Sequence, residues 1–139
     1  MTNKTIGAAT ISGTMDFNNH TVERYSEAVY TLTATAGGTT TLAVMDGTNP
    51  GNVFNVTFGA GNTTFAFTNP GTSGVAVSFT LMLKQDGIGS RTATWPGTVV
   101  WSGGTTPTLT TTASKTDMFT FFTVNNGTTW FGFTAGLNF

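Results

Sequence analysis

The sequence predicts an all-β protein, a single antiparallel β-sandwich of jelly-roll or Greek-key type with about eight to ten short strands. Three observations lead there. Thirty-three of the 139 residues are threonine, a β-branched side chain that suits a pleated, half-buried surface and loses rotamer freedom in a helix. Apolar residues recur with a period of two rather than 3.6 through most of the chain. Clusters of Gly, Asn, Asp and Pro interrupt these runs at close spacing, as turns between short strands do.

Taken in order, residues 1–19 are small and lack sustained alternation, so they are expected to form an N-terminal arm, packed on a neighbouring chain or frayed. The sandwich domain is expected over residues 20–139. Between Met15 and Glu27 lie Asp16, His20, Glu23 and Arg24, so with Glu27 five of the twelve charged or His side chains fall in thirteen residues. This stretch reads as a short helix or an extended arm. Tyr30, Leu32 and Ala34 then form one inward row, and Thr40, Leu42 and Val44 another. Phe54, Val56 and Phe58 follow, and then Phe65 and Phe67.

The clearest strand begins at Val75, with Val75, Val77, Phe79, Leu81 and Leu83 on one face and Ala76, Ser78, Thr80, Met82 and Lys84 on the other. Met118 to Val124 and Trp130 to Phe133 carry apolar side chains on both faces, which predicts central strands covered on two sides. Asn126-Gly127 between them is a type I′ hairpin signal, because that turn needs positive φ at both central residues. Asp86-Gly87 is a second hairpin candidate. No internal repeat points to a solenoid or propeller.

Composition bounds the function. Lys plus Arg number five and Asp plus Glu six, 8% of the chain, against about a quarter in an ordinary soluble domain. Hydroxyls and amides must therefore wet the surface. A net charge of −1 and a pI near 5.5 leave no basic cluster for phosphate, so nucleic acid is not an expected partner. Without cysteine there is no disulfide framework and no thiol nucleophile. The start of the sequence carries no apolar run resembling a signal peptide, and no stretch has the length of a membrane-spanning helix.

Catalytic patterns are weak. His20 is the sole histidine, and no G-x-S-x-G turn accompanies it. Asp16, His20 and Glu23 match no metal-ligand spacing, so neither a metal nor a cofactor is expected. Asp46-Gly-Thr-Asn-Pro-Gly-Asn52 lacks the acidic order of a calcium loop and reads as a turn. Outside the arm the only Asp residues are Asp46, Asp86 and Asp117, each explained by a turn or by the start of a strand rather than by a paired-carboxylate cleft. Gly59-Ala-Gly-Asn has no following Lys and is no phosphate loop. An enzyme is not expected. Trp95 and Trp101 end short strands near a rim, where an indole stacks either on a sugar ring or on the core. They are the candidate ligand-contact aromatics, and Trp130 reads as core.

Phe79-Thr-Leu-Met-Leu-Lys-Gln-Asp-Gly, Thr94-Trp-Pro-Gly, Val100-Trp-Ser-Gly-Gly-Thr-Thr-Pro-Thr-Leu and Trp130-Phe-Gly-Phe-Thr-Ala-Gly-Leu-Asn-Phe together resemble segments of tailed-phage virion structural proteins. The resemblance is strongest over residues 79–139. It implies a fibre-like or small head-associated protein and brings no catalytic residues. On that basis the chain is expected to be a capsid decoration, or cement, protein on the virion surface, made in the host cytoplasm. Its partners would be the major capsid protein and itself, as a homotrimer. The alternative is a fibre or receptor-binding module that contacts host glycans. The closing Phe139 is also similar to the last strand of outer-membrane barrels, but only Val75 to Lys84 approaches the span such barrels need.

Overall fold

The computed structural model describes residues 26–45 and 52–139. The predicted arm, the Asp16–His20–Glu23 cluster and the Asp46 turn lie outside the described residues. Nine strands are present among the described residues: β1 (Val29–Thr33), β2 (Thr39–Ala43), β3 (Val53–Thr57), β4 (Thr63–Thr68), β5 (Ser73–Lys84), β6 (Ala93–Thr94), β7 (Val99–Trp101), β8 (Thr116–Asn125) and β9 (Trp130–Gly136). The only helical element among the described residues is a 3-10 turn at Ser102–Gly104. The all-β expectation is met.

The strands form a six-stranded sheet, ordered β1-β3-β5-β8-β9-β7, and a three-stranded sheet, ordered β2-β4-β6. Aromatic contacts join the two: Phe67 of the smaller sheet lies edge-on to Phe79, Phe121 and Trp130 of the larger, with ring centroids 4.9, 4.9 and 5.6 Å apart. Edge-to-face contacts of this kind set the negative ring face of one aromatic against the positive edge of another. Trp130 is 1% exposed and belongs to the core, as its sequence context suggests.

The pairing departs from a single antiparallel sandwich. β1, β3 and β5 run parallel, as do β2, β4 and β6, and β7 with β9. Only β5–β8 and β8–β9 are antiparallel. The chain visits the larger sheet, crosses to the smaller one and returns, so each circuit lays a new strand on both stacks. Partners in the first stack, Val29 and Val53, are 24 residues apart, and Thr39 and Thr64 in the second are 25 apart. The first two-thirds of the described chain is thus a short parallel coil, and the β8–β9 hairpin closes it. Period-two patterning and Gly-rich turns fit an arch between sheets as well as a hairpin within one, so the alternation alone cannot separate the two.

The repeat behind the coil is present in the sequence. Val29-Tyr-Thr-Leu-Thr-Ala-Thr-Ala-Gly-Gly-Thr-Thr40 and Val53-Phe-Asn-Val-Thr-Phe-Gly-Ala-Gly-Asn-Thr-Thr64 share Val, Thr, Ala, Gly, Thr and Thr at an offset of 24. The absence of a repeat expected above is therefore corrected: of the shared residues only Ala36 and Gly37 lie in the arch, and the others are a valine and three threonines of the flanking strands, types too common in this chain to mark a repeat.

The arches stack by backbone contact. A Cβ on Gly59 would sit 2.5 Å from the Ala34 carbonyl oxygen, so only glycine lets the second arch close on the first. Threonine fills the space beneath. The Thr35 amide donates to Thr40 Oγ1 at 2.8 Å, Thr40 Oγ1 lies 2.6 Å from Thr63 Oγ1, and Thr63 donates to the Gly38 carbonyl at 3.3 Å. Thr40 and Thr63 are buried, so threonine here is an internal link between coils as well as an outer coating.

Most inward rows fall as expected: Leu42, Val44, Phe54, Val56, Phe58, Phe65, Val77, Phe79, Leu81 and Leu83 are buried. Val75 is not. The β5–β8 register shifts between Ser73 and Val77, and Gly74 takes φ +86°, so the strand is irregular there and Val75 is exposed. Asn126 and Gly127 adopt φ +55° and +71°, and the Thr128 amide bonds the Asn125 carbonyl, the geometry expected of the β8–β9 hairpin. Asp86-Gly87 instead leads from β5 in the larger sheet to β6 in the smaller one.

Candidate functional site: an apolar sheet face and an indole cleft

Strand β6 ends just before Trp95 and β7 ends on Trp101, and the short connection between them brings the two indoles together at 5.3 Å and 70°. Trp95 stacks on Phe65 at 5.3 Å and 17°, and both indoles contact Phe119 and Phe121. Trp101 also lies over Gly132 of β9, whose missing side chain leaves room for the ring: a Cβ there would be 2.8 Å from it. Both indoles are half-buried. One side of each packs on the core, and the other borders an open cleft of about 410 Å3 whose walls include Pro96, Gly97, Val99 and Thr106.

A second feature was misread at the level of pattern. Several outward positions of β8 and β9 are exposed. Phe122, Phe131 and Phe133 are 37%, 43% and 49% exposed, and Val100 and Val124 are similarly open. Pairing aligns them, with Val100 beside Phe131 and Phe131 opposite Phe122. Phe133 stands opposite Thr120. A depression of about 280 Å3 lies among Val100, Ser102, Phe131 and Phe133. The two-sided apolar pattern of these strands therefore marks one face on the core and one toward solvent. Hydrophobic periodicity reports that a face is apolar, not what covers it.

Asp86 and Asp117 are engaged in holding loops. Asp86 Oδ1 accepts from the Ile88 and Gly89 amides at 3.0 and 2.7 Å, and Oδ2 accepts from Arg91 Nε at 2.9 Å and Nη2 at 2.8 Å. Asp117 is buried and accepts from the Thr110 amide at 2.7 Å and the Asn138 amide at 3.0 Å. Gln85, also buried, spends its whole amide on backbone: Nε2 donates to the Arg91 and Thr110 carbonyls, and Oε1 accepts from the Arg91 amide. Pattern reading passed over Gln85, because a single polar residue after a strand carries no distinctive spacing. No group of three metal-ligating side chains occurs among the described residues.

The Arg91 hydrogen bond, followed by the Gly89 amide, holds the Asp86 carboxyl below its ordinary value of 3.8. A depressed carboxylate pKa adds stability that is present above the ordinary value and lost as pH falls through the folded one. The Asp86→Asn variant is accordingly expected to lose the Asp86 share of acid sensitivity. Urea midpoints of the two proteins, measured from neutral to strongly acidic pH, should differ at neutral pH and converge in acid.

Comparison with protein-family models, with curated proteins and with solved structures finds no match to this chain.

Proposed function

We propose that this chain is a non-enzymatic virion structural protein, a capsid decoration protein that binds the assembled phage head and stabilises the junctions between major capsid protein subunits. The observation that carries this reading is the outer face of β7, β8 and β9. Its outward Val100, Phe122, Val124, Phe131 and Phe133 form an exposed apolar surface, and a chain with 8% charged residues offers little charge to frame it. A surface of that kind is suited to lasting contact rather than to a reaction. The resemblance of residues 79–139 to tailed-phage structural proteins supplies the setting. Symmetric copies, as a trimer, would add weak contacts through effective concentration. A ligand that binds only the assembled lattice stabilises it by mass action.

The test is binding to purified heads. The intact protein is expected to bind at a copy number that follows the capsid lattice, and Phe131→Asp with Phe133→Asp, both solvent-facing, to abolish binding while leaving the circular dichroism spectrum unchanged. A handful of copies per particle, or unaltered binding by the double variant, overturns the proposal. The indole cleft favours a second reading, a fibre or receptor-binding module for host glycans. Glycan binding lost on Trp95→Ala or Trp101→Ala, in protein that still folds, would establish that reading instead.

A further inference from the structure

The indole cleft continues into a second hollow. A depression of about 240 Å3 lies among Arg91, Thr92, Ala93, Pro107, Leu109 and Thr111, and it shares Ala93 with the cleft. Two segments, residues 91–97 and residues 106–111, supply most of the lining of both, and Val99 and Trp101 complete the indole end. The hollows therefore follow one another in a single furrow, which leads from the Trp95–Trp101 pair past Ala93 toward Arg91.

The two segments are held at a fixed spacing from within. Buried Gln85 donates from Nε2 to the Arg91 carbonyl at 2.9 Å and to the Thr110 carbonyl at 2.7 Å, so one side-chain nitrogen ties them together. The Asp117 carboxylate anchors the Thr110 amide, and the Ser90 amide bonds the Thr111 carbonyl. A furrow fixed in this way needs little ordering when a ligand enters. Its chemistry is neutral. Among the described residues Arg91 is the only charged side chain that lines either hollow, and Asp86 pairs with it at 2.8 Å. Thr92, Thr94, Thr106 and Thr108 stand exposed along the furrow, and a threonine hydroxyl both donates and accepts.

We infer that the furrow binds an uncharged linear oligosaccharide, with one sugar ring laid on the open sides of the indoles and further units passing Ala93 toward Arg91. A pyranose offers a face of C–H bonds to an aromatic ring and a rim of hydroxyls that donate and accept, and the indoles and threonines of the furrow answer both. An acidic sugar would meet a lining cation that Asp86 already holds. The inference rests on the glycan reading of the indole cleft and deepens it, naming the charge of the ligand and its extended form.

Magnetic-resonance titration of the isotope-labelled full chain tests this, with neutral tetrasaccharides of glucose, mannose, galactose and xylose, each beside its disaccharide, and tetragalacturonate as the acidic comparison. A neutral tetrasaccharide should shift the Nε1–H signals of Trp95 and Trp101 and leave that of core Trp130 in place. It should bind about tenfold more tightly than its disaccharide, because the second hollow adds contacts on the same ligand. Thr106→Tyr, which fills the indole hollow, should abolish binding of both lengths, whereas Thr108→Tyr, at the second hollow, should remove only the gain with length. Both positions are exposed, and an unchanged circular dichroism spectrum checks that each variant folds. Equal affinity for the two lengths overturns the furrow and leaves a single-ring glycan site at the indoles. Preference for tetragalacturonate overturns the neutral class. Indole signals unmoved by every neutral sugar overturn the inference, and if tetragalacturonate also leaves them in place the glycan reading falls with it.

Discussion

Replacing Phe79 by Ala should destabilise the protein by about 3–5 kcal/mol, the usual cost of emptying a buried aromatic site. Phe79 is 2% exposed and lies where the two sheets meet. Its ring stacks on Phe121 at 5.0 Å and 24° and is approached edge-on by Phe54, Phe67 and Trp130. Four aromatic partners from four strands cannot all collapse into one vacancy, which sets the cost toward the upper end. Urea denaturation with an unchanged slope and a lower midpoint would report it. Phe131→Ala is the comparison: that ring is on the open face, and its removal should shift the midpoint far less.

The Asp117→Ala variant is expected to lose roughly 2–5 kcal/mol, because it strands two backbone amides that the carboxylate now satisfies. The Thr110 amide belongs to the long connection between β7 and β8, and the Asn138 amide to the segment after β9. One side chain on β8 thus pins both segments to the sheet. Asp117→Asn keeps one acceptor oxygen and should lose less. Chemical denaturation gives the size of the effect, and faster amide exchange at Thr110 and Asn138 shows where it acts.

The sequence made the local structure legible and left the path of the chain hidden. Leu42, Phe54, Phe65 and Phe79 could be assigned to the interior because period two is a property of a single strand. Whether Thr33 leads through Ala36-Gly37 to a hairpin partner or across to another sheet depends on the arch, and Gly and Thr serve both. The hairpin at Asn126-Gly127 was readable because its turn demands two left-handed residues in succession. The Trp95–Trp101 pair was recognisable as two half-exposed indoles, but their meeting required β6 and β7 to lie in different sheets. Phe122, Phe131 and Phe133 announced an apolar face, and burial on both sides was the wrong inference, because no residue pattern states what lies opposite.

The parallel coil also fixes an order of events during synthesis. β5, at twelve residues the longest strand, pairs with β3 on one side and β8 on the other. Lys84 must wait for Thr116, and Ser73 for Asn125. A ribosome that has delivered β5 therefore exposes a long, valine- and leucine-rich edge for the time needed to add several dozen residues, at about 5–20 residues per second. During that interval the nascent chain depends on dilution or on a chaperone to keep β5 from pairing with its like on a neighbouring ribosome.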